Sequence, residues 1–222
     1  MKIAVLSGDG IGPEAMQQAL RVLDAVAARF DLAFTFMDAP IGGAAYDLHQ
    51  EHCPQTTLDV WRQADAILFG SVGGPIAEAH LPKWADCEAN SILTIRKAFQ
   101  FAANYRPATV YPALRSVCPL KNRIIESGID IMIIRELLGD IYFGEHHLND
   151  QGQSRHAYDV AEYNEEQIKT IAHAAFKLAR SRQSRDVSVD KAKVLATSKK
   201  WRHIFNEVAK EYADVELTHM LV

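Results

Sequence analysis

The stretch Lys2-Ile3-Ala4-Val5-Leu6-Ser7-Gly8-Asp9-Gly10-Ile11-Gly12-Pro13-Glu14 decides the fold class. Its apolar run over residues 3–6 predicts a strand, its glycines a tight turn, and Pro13 the first turn of a helix. Met16, Ala19, Leu20, Leu23, Val26 and Ala27 then recur at helical spacing. A strand, a turn and an amphipathic helix in that order open an α/β protein.

The alternation continues outward. Residues 32–37 read as a strand and 57–63 as a short helix. Residues 66–69 read as a buried strand ending at Gly70-Ser71-Val72-Gly73-Gly74-Pro75. Strands alternating with helices predict a largely parallel sheet. Residues 91–101 suggest another helix, and the β-branched run 129–134 a strand covered on both faces. Residues 141–144 and 155–160 flank a loop rich in Asn, Asp, Gly, Gln and Ser, as in a long β-hairpin arm that needs a partner to cover it.

Asn164 is placed to cap a helix with Ile168, Ile171, Ala172, Ala175, Phe176 and Ala179 on its apolar face. Thr197 or Ser198 is placed to start another through Trp201, Ile204, Phe205 and Val208. Residues 215–222 alternate and then turn apolar, like a strand entering a sheet, and the sequence stops in mid-element. With no repeat or linker, the boundary is expected at a crossing near 101–107, giving domains 1–101 and 102–222, both incomplete.

Composition bounds the function. The 222 residues are 48% hydrophobic and 23% charged, as in a globular protein. The net charge of −4, with no basic stripe, argues against nucleic acid. The N-terminal apolar run is too short for a signal peptide or a membrane span, which predicts a cytoplasmic protein. Cys53, Cys87 and Cys118 are odd in number and never spaced C-x-x-C, so they read as reduced packing residues.

Several residues can carry chemistry. Glycines between a strand and a helix N-terminus suit anionic groups, although Gly8 to Glu14 is not the dinucleotide G-x-G-x-x-G fingerprint and a plain tight turn also accounts for it. Arg96, Arg106 and Arg135 lie in or after apolar stretches, where guanidinium forks suit carboxylates, and three together would suit a polycarboxylate; singly, each reads first as a surface or ion-paired arginine. Tyr142 and Lys191 are a possible acid and base pair if their surroundings lower their proton affinities. His146 and His147 adjoin on the expected hairpin loop, point oppositely and read as solvated.

Taken in order, Gly8 to Glu14, Leu68 to Pro75, Arg135-Glu136-Leu137 through Ile141-Tyr142-Phe143-Gly144, and Ser188-Val189-Asp190-Lys191-Ala192 resemble the β-decarboxylating dehydrogenases, specifically the 3-isopropylmalate dehydrogenases. The resemblance implies an isopropylmalate dehydrogenase-like α/β fold with a hairpin arm on its second domain. It implies NAD-dependent oxidation of a malate-like diacid, with loss of carbon dioxide assisted by Mg2+ or Mn2+. The product would be 2-oxoisocaproate, in leucine biosynthesis. Arg96, Arg106 and Arg135 would hold the carboxylates, Tyr142 would protonate the enol, and Lys191 would assist proton removal, reaching across a homodimer.

On the same basis Ile11, Gly74, Pro75 and Glu88 border the cofactor, and Ile92 and Leu93 meet the isopropyl group. An isocitrate site must receive a third carboxylate, which is costly to bury against that apolar pair. The family pattern continues past Val222 into an Asp-Asn pair, metal-ligating aspartates and a glycine-rich adenosine loop, so no metal ligand is expected in these residues. They are expected to be inactive alone and prone to aggregate. Leu138 and Asp140 stand where the family reads Thr-Gly-Gly, and Lys193 where it has Asn; both charges should weaken catalysis. The competing readings are a non-catalytic dimerising or binding relative, and an isocitrate or homoisocitrate dehydrogenase.

Overall fold

The computed structural model describes residues 1–152 and 154–222. The chain divides into two compact units, Met1–Phe99 and Gln100–Val222.

In the first unit, β1 (Lys2–Gly8) runs into α1 (Gly12–Phe30), followed by β2 (Thr35–Asp38), α2 (Gly43–His49), α3 (Gln55–Arg62), β3 (Ala66–Ser71) and α4 (Thr94–Phe99), the last entered through a π-helical turn at Ala89–Leu93. The strands form a parallel sheet in the order β2-β1-β3. Ile3, Ala4, Val5 and Leu6 are all buried, as a central strand covered on both faces requires. Ala4 and Leu6 share a core with Ile41, Trp61 and Ile95. The expected strand at 32–37 begins only at Thr35, because α1 overruns to Phe30 and ends on Asp31 in the left-handed region at φ 52°.

In the second unit, β4 (Ala103–Thr109) pairs antiparallel with β5 (Asp130–Glu136), and the short helix α5 (Asn122–Ile125) lies between them in sequence. The hairpin β6 (His146–Asn149) and β7 (His156–Asp159) follows. Helices α6 (Glu165–Arg180) and α7 (Ala196–Ala209) alternate with β8 (Arg185–Asp190) and β9 (Glu216–Leu221), a parallel pair. The capping box at Asn164 is present: its side chain accepts from Gln167 N while Gln167 returns the bond. All six apolar residues expected on α6 are buried, with Ile204, Phe205 and Val208 of α7 in the same core.

The run 129–134 is not covered on both faces: Ile131 and Ile133 are about half exposed, because β5 belongs to a two-stranded antiparallel ladder. His146 and His147 lie in β6 rather than in a loop, His146 bonded to Asp159 and His147 stacked between His156 and Tyr158.

Two independent globules of these sizes would expose about 12,000 Å², whereas the chain exposes 14595 Å². Part of the excess is apolar: Val22 and Phe30 on α1, Val187 and Val189 on β8, and Met220 on β9 face outward. Among the described residues no helix is long and apolar enough to cross a membrane.

Candidate functional site

The glycine turn after β1 is shaped first by packing. A side chain at Gly8 would meet Ser71 O at 1.8 Å, one at Gly12 would meet Ser7 O at 2.1 Å, and one at Gly70 the same oxygen at 2.2 Å. These three glycines let β1, α1 and β3 approach, which is the plain-turn reading of the motif. Gly10, at φ 58°, faces open space, and Ile11 beside it is 70% exposed, so only this tip offers backbone and an apolar side chain to a ligand.

Asp9 was not singled out from the sequence, and the structure makes it the hub of this region. Its buried carboxylate accepts bonds from Gly43 N at 2.8 Å, Ala44 N at 2.8 Å and Gly73 N at 3.1 Å. Its own amide donates to Ser71 O, and its carbonyl accepts from Ser71 Oγ, both at 2.7 Å. One side chain thus joins the glycine turn, the start of α2 and the loop after β3. Cys87 is buried beside it, its thiol held above the usual range by burial and then by the Asp9 charge. The three cysteines are free thiols.

Gly74 and Pro75 follow on that loop, both exposed. The Trp84 indole lies where side chains at Gly43 and Gly74 would stand, 2.2 Å from either position. Glu88 is exposed, with a carboxylate oxygen 3.6 Å from where a Gly73 side chain would stand. Ile92 and Leu93 are half-buried in the π-helical turn, and Arg96 is half-buried one turn on, while Ser91 and Ile95 take the inward positions. Ile11, Gly74, Pro75, Glu88, Ile92, Leu93 and Arg96 therefore all belong to the first unit.

The second unit holds the others. On β4 and β5 the register sets Asn104 opposite Arg135 and Arg106 opposite Ile133. Alternation puts Asn104, Arg106, Ile133 and Arg135 on one face, with the two arginines as diagonal neighbours. Arg106 Nε donates to Asn104 Oδ1 at 2.7 Å, an aiming contact from a residue that the sequence reading passed over. The Arg135 guanidinium sits 5.1 Å from the Tyr142 ring centre, within cation–π range.

Asp140, in the left-handed region at φ 69°, occupies a position better suited to glycine. Its carboxylate acts on Tyr163. Burial raises the pKa of Tyr163, and Asp140 and Glu136 add to the rise. Burial likewise lifts Glu136, offset by the Leu138 and Gly139 amides it accepts and reinforced by Asp140. Replacing Asp140 by Asn is therefore expected to lower the Glu136 titration midpoint, as followed by carboxyl-carbon NMR.

Lys191 is exposed at the C-terminal end of β8, in a turn that also carries exposed Lys193. Asp190 fixes that turn: its carboxylate, 2% exposed, takes two bonds from Arg202 at 2.8 and 2.9 Å and one from Ala192 N at 2.8 Å. Lys191 N donates to Ser198 Oγ. Arg106, Arg135 and Tyr142 thus form one group, and among the described residues no contact joins Lys191 to them. Nor do three His, Cys, Asp or Glu side chains gather among the described residues as a metal would require.

Comparison with known proteins agrees with the motif order. The isocitrate/isopropylmalate dehydrogenase family matches residues 2–222. The 3-isopropylmalate dehydrogenase of Desulfotalea psychrophila is 49% identical over 222 residues, which are 100% of this chain and 62% of that protein. The Escherichia coli K12 3-isopropylmalate dehydrogenase is 48% identical over 221 residues, 99% of this chain and 61% of that one. The chain therefore spans about three fifths of the length of these relatives. Isocitrate dehydrogenase from Methylococcus capsulatus superposes with a TM-score of 0.81 at 25% identity, over 99% of this chain and 60% of that one. A β-decarboxylating dehydrogenase from Thermococcus kodakarensis gives 0.71 at 32% identity, over 99% and 57%. The fold, the ordered motifs and a match over residues 2–222 lead to one statement: this chain belongs to the isocitrate/isopropylmalate dehydrogenase family.

Proposed function

We propose that this chain supplies the substrate-holding part of an NAD-dependent dehydrogenase that oxidises and decarboxylates 3-isopropylmalate to 2-oxoisocaproate in the cytoplasm, acting as a homodimer. The observation that carries the reading is the single face of β4 and β5 on which Arg106 and Arg135 stand as diagonal neighbours, with Tyr142 against the Arg135 guanidinium. Two fixed cations offer forked donors to a dicarboxylate, and a phenol beside one of them is placed to deliver a proton. The 46–49% identity to several 3-isopropylmalate dehydrogenases directs the choice of diacid.

The parts have separate duties. Arg96, Arg106 and Arg135 hold carboxylates, and Ile92 and Leu93 take the isopropyl group, an apolar pair that disfavours the third carboxylate of isocitrate or homoisocitrate. Tyr142 gives a proton to the enol carbon, and Lys191 assists removal of the hydroxyl proton. NAD, where bound, supplies the hydride acceptor; exposed Ile11 and open Gly10 are compatible with a dinucleotide at the turn, and Gly74, Pro75 and Glu88 would border it. Mg2+ or Mn2+ would serve the decarboxylation in this family, but the described residues gather no ligand set for it, so no step here runs through the metal.

The test is calorimetric titration of this chain with 3-isopropylmalate, isocitrate and homoisocitrate, together with an assay for NADH formation. Binding of 3-isopropylmalate that falls at least tenfold in Arg135→Met is the expected result. Preference for isocitrate would overturn the role given to Ile92 and Leu93. Binding without NADH formation from a full-length protein carrying this sequence would instead favour a non-catalytic binding relative.

A further inference from the structure

The loop after β3, Gly73-Gly74-Pro75, carries no secondary structure of its own, yet it is held from two sides. On one side Gly73 N donates to the buried Asp9 carboxylate, which also takes the amides of Gly43 and Ala44 at the start of α2. On the other, the Trp84 indole occupies the space above the α-carbons of both Gly43 and Gly74. Trp84 is itself anchored: Nε1 donates to Glu78 Oε2 at 3.0 Å, and the Lys83 ammonium lies 4.8 Å from the ring centre while pairing with Asp47 on α2. His52 adds a bond to Lys83 O at 2.8 Å.

We propose that Asp9 and Trp84 are positioning residues that together set the Gly73-Gly74-Pro75 loop in the conformation that meets the dinucleotide. The proposal rests on the cofactor reading given above and adds two residues to it, neither of which need touch NAD. Asp9 fixes the distance between this loop and the glycine turn that bears Ile11, because its backbone belongs to the turn and its side chain grips the loop. Trp84 prevents the loop from lifting off α2. Glycine is required at 43 and 74 because a methyl group at either position would enter the indole.

Asparagine at position 9 keeps the volume of aspartate but turns one acceptor into a donor. Its amide group would face either the Gly43 and Gly73 N–H groups or that of Ala44, so two donors would meet where a bond stood. Alanine at 84 removes the indole from an exposed loop without touching the core. Phenylalanine keeps a flat ring over the glycines and loses only the bond to Glu78.

The experiment is calorimetric titration of NAD into a full-length protein carrying this sequence and into its Asp9→Asn, Trp84→Ala and Trp84→Phe variants, with amide hydrogen exchange read at Gly43, Ala44 and Gly73. Asp9→Asn and Trp84→Ala are each expected to weaken NAD binding about tenfold, the cost of one or two lost loop contacts. Trp84→Phe should restore most of the affinity, and binding of 3-isopropylmalate should stay unchanged in all three. Protection at Gly73 should fall in Asp9→Asn while the β1 amides keep theirs. Unchanged NAD affinity in folded Trp84→Ala would overturn the proposal while leaving the cofactor reading intact. Failure of that full-length protein, unsubstituted, to bind NAD would overturn both. Should Asp9→Asn not fold, the two Trp84 variants decide the matter.

Discussion

Arg202→Met is expected to destabilise the Gln100–Val222 unit by about 3 kcal/mol at neutral pH, toward the lower end of what breaking a buried ion pair costs. Asp190 is nearly inaccessible at the end of β8, and Arg202 reaches it from α7 with two parallel bonds. Methionine has comparable length and apolar bulk, so the change removes charge and donors more than packing. The partner left behind is a carboxylate, 2% exposed in the native chain, with only the Ala192 amide to bond it.

The sign of the pH dependence follows. Burial works against the Asp190 charge, but the Arg202 bonds and the Ala192 amide outweigh it and hold the pKa below the usual carboxylate value. A carboxyl group depressed in the folded state contributes stability that is present above its unfolded pKa of about 4 and is lost as the pH falls through the lower folded value. Urea melts should therefore show the gap between native and Arg202→Met chains narrowing below about pH 4. A constant gap from neutral to acid would show that packing, not charge, links α7 to the Lys191 turn.

How far the sequence was legible depended on whether the determinants lie close together in the chain. Helix α6 was readable because its cap, its capping partner and all six buried residues fall within 16 positions, 164–179. The start of α7 moved to Ala196 because Ser198 is used otherwise, accepting the Lys191 amide. Helix α2 escaped because the carboxylate that satisfies its first amides is Asp9, 34 and 35 residues earlier. Strand β4 escaped because Arg106 and Pro107 interrupt the apolar pattern, which a two-stranded ladder tolerates.

The same division holds at the site. Each motif was visible as a local string, while the grouping of Arg106, Asn104 and Arg135 needed the β4–β5 register and the role of Asp9 needed three segments brought together. The exposure of Ile131 and Ile133 also had no local signal: a β-branched run looks alike whether its sheet is covered or bare.

Phe176→Ala is expected to cost the second unit about 3–5 kcal/mol, the range for truncating a fully buried aromatic ring. Phe176 is 0% exposed and stacks on Tyr212 with ring centres 4.9 Å apart, while Phe205 of α7 lies at 6.1 Å. It therefore joins α6 both to α7 and to the segment leading into β9. Tyr212 is held in addition by the Arg180 guanidinium, 4.4 Å from its ring centre, and by a bond to His173. These contacts hold the tyrosine in place, which limits its movement into the vacated space and leaves a cavity. Trp201 stacks on Phe205 with centres 5.0 Å apart, so its fluorescence reports the transition. A urea midpoint lowered in proportion to that cost, at unchanged slope, is the expected observation. A loss below about 1 kcal/mol would mean that α6 and α7 repack around the missing ring, and that the rigidity attributed to this core is overstated.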